Sequence, residues 1–370
     1  MLILILVAFV FLIFLVLVFE FILRHFFPQN VNRIHVNGKK LTMHDEIVGF
    51  VCNPGAHVRT NGPEFSAEYK INEAGLRDEF KYENSRAAIR ILIIGDSFAF
   101  GAANNYDQIW PVIFERKLKQ YGYDVEVIKA GIPFRNTDGD VLYLENILPK
   151  YTPDFVIYNF LPNNLFVNRP LVNDGNSLKL KKRSDEDIIG MNNKIGSLHI
   201  ITFLRRVLIS NDFLYAFIYM HTSRGQFFKV PQNNKVKHQI KVTKNLLSRM
   251  VEFCRNNHTR FLVLSLPQQF QVLLNARQYK ILGADVSFID NTFSQFAYEK
   301  EFAWIQTLPK LADTYHSTGR DCYFRLDGHL NNEGNLLIGE YLADEFIRTA
   351  LTERHDKLNH CKDKYAKQCL

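Results

Sequence analysis

From Arg90 onward, short apolar runs alternate with amphipathic stretches, and this alternation constrains the fold more than any other feature of the chain. Ile91–Ile94, Val125–Lys129, Asp154–Phe160 and Arg260–Leu266 read as strands rich in branched and aromatic residues, with a fifth strand expected at Val286–Asp290. Between them, Gln108–Tyr121, about Asp138–Lys150 and Gln239–Arg255 carry helical spacing, the first interrupted early by Pro111, and a last helix is expected over about Asn331–Thr349. Strands alternating with helices are the signature of βαβ units around a parallel sheet. The expected body is therefore an α/β domain over residues 89–350 with a central parallel sheet of about five strands.

Three further regions flank or interrupt that body. Met1–Phe19 contains no charged residue, and at about 1.5 Å rise per residue it spans roughly 28 Å, the hydrocarbon thickness of a bilayer. Residues 1–23 are accordingly expected to be an uncleaved transmembrane anchor; the basic n-region, short apolar core and small-residue site of a cleaved signal are missing before Arg24. Arg24, Arg33, Lys39 and Lys40 all follow the helix, which by the positive-inside rule draws the body toward the cytoplasm. Residues 24–88, punctuated by Asn53–Gly55 and Asn61–Pro63, read as short strands and turns of a connecting segment packed on the main domain. The third and fourth strands are separated by an insertion over about 162–236, far longer than an ordinary connection, with a helix expected near Leu198–Ser210. The tail 351–370 is polar and without helical or strand period.

Composition narrows the chemistry. Five cysteines, at 52, 254, 322, 361 and 369, show neither a disulfide framework nor a zinc spacing. A net charge of +7 is modest for 370 residues and comes partly from Lys179, Lys181, Lys182 and Arg183, a run that reads as a solvated face or a contact for an anionic surface. Nothing in the chain points to nucleic acid, an organic cofactor or a metal.

In an open parallel sheet, ligands lie outside the carboxyl ends of the strands. Four such ends carry suitable groups. Gly95-Asp96-Ser97 follows the first strand, and Ser97 there is either a helix cap or a nucleophile on a tight turn. Gly131 follows the second strand, as a turn or a place where a backbone N–H meets a ligand. Asn163 and Asn164 follow the third, as turn formers or as amide donors to an oxyanion. Asp327-Gly328-His329 precedes the last helix, as an Asp-Gly turn with a surface histidine or as a pair on an extended or loop backbone, where residues i and i+2 point the same way and the carboxylate could orient the imidazole.

Taken together and in order, these blocks resemble the SGNH (GDSL-type) hydrolase superfamily. "GDSFAFG" matches the serine block, while "KAGIPFRN", "FLPNNL" and "DGHLNNEG" resemble the glycine, asparagine and histidine blocks. "YKINEAGLRDEF" is similar to the segment before the serine block in membrane-anchored bacterial members. The resemblance covers most of residues 45–348 and implies a flavodoxin-like three-layer α/β/α fold with Ser97 as nucleophile, His329 as base and Asp327 as its acid. It also implies oxyanion donors at the Ser97 and Gly131 N–H groups and the Asn163 side chain, with Asn164 as the alternative. Leu161 and Asn164 depart from the usual G-x-N-D, and the one-residue Asp-x-His spacing resembles the polysaccharide-acetyltransferase branch. The implied activities are a membrane-anchored esterase acting on an acyl ester, including O-acetyl; an O-acyltransferase on an envelope glycan; and a non-catalytic carbohydrate-binding or assembly protein. The resemblance implies an extracytoplasmic body, against the basic flank of the anchor, and an acylated glycan or lipid as partner.

Overall fold

A computed structural model describes residues 2–29, 33–78, 87–166, 168, 171–173, 178–180 and 198–351. The tail from 352, the cysteines at 361 and 369, and residues 181–183 of the basic run lie outside the described residues.

Helix α1, Leu2–Phe26, opens the chain. Its segment Ile3–Phe26 is long and apolar enough to cross a membrane, or to serve as a signal sequence. Strands β1 (Arg33–Asn37), β4 (His57–Asn61) and β5 (Ser66–Lys70) form an antiparallel sheet in the order β1-β4-β5. Strands β2 (Thr42–Asp45) and β3 (Gly49–Cys52) pair as a hairpin beside it. This region packs on the main body through Cys52, Val58, Tyr69 and Ile71 against Phe100 and Ile132. Arg77, 2% exposed, adds a polar tie, donating to the Phe100, Gly101 and Asn104 carbonyls.

The central sheet is built from β6 (Ile89–Gly95), β7 (Val125–Gly131), β8 (Phe155–Phe160), β11 (Arg260–Ser265) and β12 (Ala303–Gln306). All neighbours are parallel, in the order β12-β11-β8-β6-β7. Counting only these five, the order is 2-1-3-4-5, the flavodoxin-like arrangement, whose switch point falls between β6 and β8. The strands are apolar on both faces because helices cover both. Leu92, Ile94, Val156 and Tyr158 join one core; Ile91, Ile93, Phe155 and Ile157 join the other. Each residue of Ile91–Ile94 is 0% exposed, and burying each such side chain stabilises the fold by about 1.5–3 kcal/mol.

Helices α2 (Ser97–Phe100), α3 (Trp110–Gln120) and α4 (Thr137–Tyr151) follow the first two strands. Pro111 does not break α3. It sits in the first turn, where its missing N–H has no intrahelical acceptor to lose. The fifth strand is not at Val286–Asp290, because Phe288–Glu299 is a helix. Ile289, Phe293, Phe296 and Ala297 are buried at helical spacing, and that period overrides the short apolar run. The strand that completes the sheet is Ala303–Gln306, a short edge strand.

Within the insertion, β9 (Leu171–Asn173) pairs with β10 (Leu178–Leu180), and two helices follow, His199–Ile209 and Asp212–Met220. Helix Asn234–Asn256, capped by Asn233, leads back into the sheet.

Candidate active site

The carboxyl ends of β6 and β8 border one cleft of about 1020 Å³. Ser97, Asp327, His329, Asn163 and Asn164 all line it. Ser97 is the first residue of α2, not its cap: Asp96 is the N-cap, and its carboxylate accepts from the Phe98 N–H at 2.9 Å. Gly95 makes this turn possible. Its φ is +146°, and a Cβ there would lie 2.8 Å from Asn159 Cβ.

His329 Nε2 lies 2.8 Å from Ser97 Oγ, and its Nδ1 lies 2.5 Å from Asp327 Oδ1. The Asp-Gly-His segment is a turn. Gly328 at φ +90° reverses the chain, and the His329 N–H closes the turn on Asp327 Oδ1 at 3.3 Å. The ring of Phe98 covers the imidazole at 4.9 Å between centroids. Burial works to lower the His329 pKa, but the hydrogen bond and charge of Asp327, with Asp96 adding, raise it above its usual 6.5. Asp327 is itself pulled down: burial raises it, and the hydrogen bonds and charge of His329 outweigh that. Asp96 behind the site is pushed up to about 7 by burial.

The two asparagines part company. Asn164 is 2% exposed and its Nδ2 donates to the Tyr158 hydroxyl at 3.2 Å. Asn163 is half-buried at the cleft wall; its Oδ1 accepts from Gln268 Nε2, which leaves the Nδ2 end as a donor. Gly131 is the last residue of β7. It lies under α2, where a Cβ would meet Phe100 N at 2.3 Å, so its glycine serves close packing. The cleft wall after β7 is Pro133–Asn136, with Phe134 held at φ +68° and its ring against Phe50.

Several groups at the site were not singled out from sequence. Gln268 holds Asn163 and accepts from the Tyr219 hydroxyl, linking the insertion to the strand ends. It follows β11 closely, so the rule that pointed to the other strand ends reaches it too. Glu64, between β4 and β5, accepts from the backbone N–H groups of Arg325, Leu326 and Asp327 at 3.2, 2.6 and 3.4 Å. Arg205 Nη2 donates to Leu326 O at 2.8 Å from the other side. Neither has a local sequence signal, because the partners are 121 positions apart for Arg205 and 261 or more for Glu64.

No family model matches the chain. An arylesterase of Vibrio mimicus is 30% identical over 80 residues, which span 22% of this chain and 40% of that protein. Among solved structures, a psychrotrophic esterase from Pseudoalteromonas sp. is 12% identical with a TM-score of 0.40, over 70% of this chain and 97% of its own. A lipase/acylhydrolase from Enterococcus faecalis is 13% identical with a TM-score of 0.40, over 70% and 95%. A member of the lipolytic protein G-D-S-L family from Veillonella parvula is 12% identical with a TM-score of 0.40, over 70% and 100%. With its serine, asparagine and histidine blocks gathered at one sheet edge, the chain resembles the SGNH (GDSL-type) hydrolases.

Proposed function

We propose that the protein is a membrane-anchored serine esterase that hydrolyses an acyl ester, with Ser97 as nucleophile, His329 as general base and Asp327 as its orienting acid. One observation carries this reading: an imidazole bridging a serine hydroxyl at 2.8 Å and a carboxylate at 2.5 Å, inside a cleft.

In the first step the Ser97 hydroxyl gives its proton to His329 Nε2 while Oγ bonds to the ester carbonyl carbon. Asp327 accepts from Nδ1–H throughout, fixing the tautomer and stabilising the imidazolium that forms. The carbonyl oxygen becomes an oxyanion. Asn163 Nδ2 and the Ser97 N–H, which has no intrahelical acceptor in the first turn of α2, are its assigned donors. Collapse of the intermediate breaks the carbon–oxygen bond to the alcohol, and His329 protonates the leaving oxygen. Water then attacks the acyl-Ser97, giving its proton to His329, and the acid departs as Oγ recovers its hydrogen. The Gly131 N–H is the further donor that the resemblance implies.

A cleft of about 1020 Å³ sits at the top of the range of about 300–1,000 Å³ for small-molecule sites, far more room than an acetyl group needs. It supports an ester in which the alcohol or acyl part is bulky. In this reading α1 spans the membrane and the body lies outside the cytoplasm, a placement that protease accessibility in spheroplasts tests. Purified full-length protein is expected to hydrolyse short p-nitrophenyl esters; unchanged turnover in Ser97→Ala would contradict the mechanism.

A further inference from the structure

The helix pair of the insertion carries an uncovered apolar face. In His199–Ile209, the residues Ile200, Phe203, Leu204, Val207 and Leu208 recur at i, i+3, i+4, i+7 and i+8, one stripe along the helix. Leu204, Val207 and Leu208 are 45%, 53% and 43% exposed. The next helix continues it with Phe213, Leu214, Phe217 and Ile218, between 38% and 44% exposed. The other sides of both helices are committed to the body: Thr202, Ala216 and Met220 are buried, and Arg205 and Arg206 donate to Leu326 O and Pro63 O. Single exposed apolar residues are ordinary on a protein surface, but a contiguous run over two helices marks a contact site.

What meets this face is indicated by α1. Phe203, within the stripe, packs edge-on against Phe19 of α1 at 5.7 Å between ring centroids. Glu20 of α1 caps the same helix, accepting from the His199 and Ile200 N–H groups at 3.1 and 2.8 Å. Glu20 precedes the end of α1 at Phe26 by only about 9 Å of helix rise. The stripe therefore begins on the anchor itself, at the depth where hydrocarbon gives way to headgroups, and is continuous with the anchor's own apolar surface.

We propose that helices His199–Ile209 and Asp212–Met220 lie in the membrane interface, their apolar face sunk into the same bilayer that α1 spans. The proposal rests on α1 as a transmembrane anchor. Helices of this kind bury their apolar face about 5–10 Å into the headgroup–acyl boundary. The inner side of Asp212–Met220 supplies Tyr215 and Tyr219 to the cleft, so one wall of the candidate site is itself seated on the lipid surface.

Full-length protein in lipid nanodiscs tests this with one added tryptophan at a time, the emission of Trp110 and Trp304 being subtracted with the unmodified chain. Phe217→Trp, and independently Leu214→Trp, are expected to lose about half their emission when the lipids are brominated in the upper acyl chain, the depth of an interfacial helix. Tyr298→Trp, at a position 82% exposed elsewhere on the body, is expected to be unaffected. Phe9→Trp reports the anchor separately. Quenched Phe9→Trp with unquenched reporters at 214 and 217 overturns the proposal and leaves the anchor standing. Failure of all three removes the anchor and the proposal together. Blue-shifted but unquenched emission at 214 and 217 assigns the face to a protein contact, a second copy included, and equal quenching at Tyr298→Trp shows non-specific contact; both overturn it.

Discussion

The cleft has two walls of different origin. One is the carboxyl edge of the central sheet, where Ser97, Asn163 and the Asp327–His329 turn are set by strands that are almost wholly buried. The other is assembled from residues between 40 and 69 and between 215 and 235, supplying Lys40, Thr42, Tyr69, Tyr215, Tyr219 and Arg224. The first wall carries groups with chemistry. The second gives shape and holds the first in place, through Glu64 on the histidine turn and through Tyr219 and Gln268 on Asn163. Substitutions on the two walls should therefore fail differently, the first in the chemical step and the second in positioning.

The largest effect is expected for Ser97→Ala, a loss of about 10⁴- to 10⁶-fold in kcat with the thermal midpoint retained. His329→Ala on that background should add almost nothing, since the two act as one unit; additive losses in ester hydrolysis assays would break the account. Asp327→Asn is expected to cost about 10³- to 10⁴-fold. It also tests the sign of the pH dependence. His329 acts as a base only when neutral, and Asp327 raises its pKa above 6.5, so activity should fall as pH drops through that raised value. Without the carboxylate the acid limb of the kcat/KM profile should move to lower pH; a limb that stays in place would assign it to another group.

Asn163→Ala should lower kcat by about 10²- to 10³-fold. Asn164→Ala, which takes a buried donor from the Tyr158 hydroxyl, should instead cost about 1–3 kcal/mol in denaturant unfolding with a much smaller kinetic loss. The reverse pattern would exchange their roles. On the second wall, Gln268→Ala and Glu64→Gln are each expected to reduce kcat about tenfold, equivalent to about 1.4 kcal/mol of lost positioning, with little change in KM. A loss confined to KM would make these residues substrate contacts rather than supports.

The same contrast explains what the sequence made legible. The apolar runs at 91–94, 125–129, 154–160 and 260–266 identified four of five strands, because a doubly covered parallel strand is apolar along most of its length. Ala303–Gln306 escaped notice as a short edge strand, and Val286–Asp290 was misread because a few apolar residues fit either period until Phe293 and Phe296 extend the helical one. Ser97, Asp327 and His329 could be singled out as candidates because Ser97 follows a strand end and Asp327-Gly328-His329 precedes the last helix. Their local backbones were less legible: the cap is Asp96 rather than Ser97, and of the extended, loop and turn backbones open to the Asp-Gly-His segment, Gly328 at φ +90° selects the turn. At Gly131 the missing Cβ serves packing under α2, a demand compatible with a backbone N–H turned to a ligand. Glu64 and Arg205 act across the chain, and no local pattern announces contacts of that range, whereas Gln268 stands just after a strand end.

The central claim is that Ser97, activated by His329, is the atom that takes the acyl group. Treating the full-length protein with a fluorophosphonate and mapping the adduct by peptide mass spectrometry tests it most directly. The account predicts one adduct, on Ser97, absent in Ser97→Ala and lost in His329→Ala. An adduct on another residue, or labelling that survives either substitution, would contradict it.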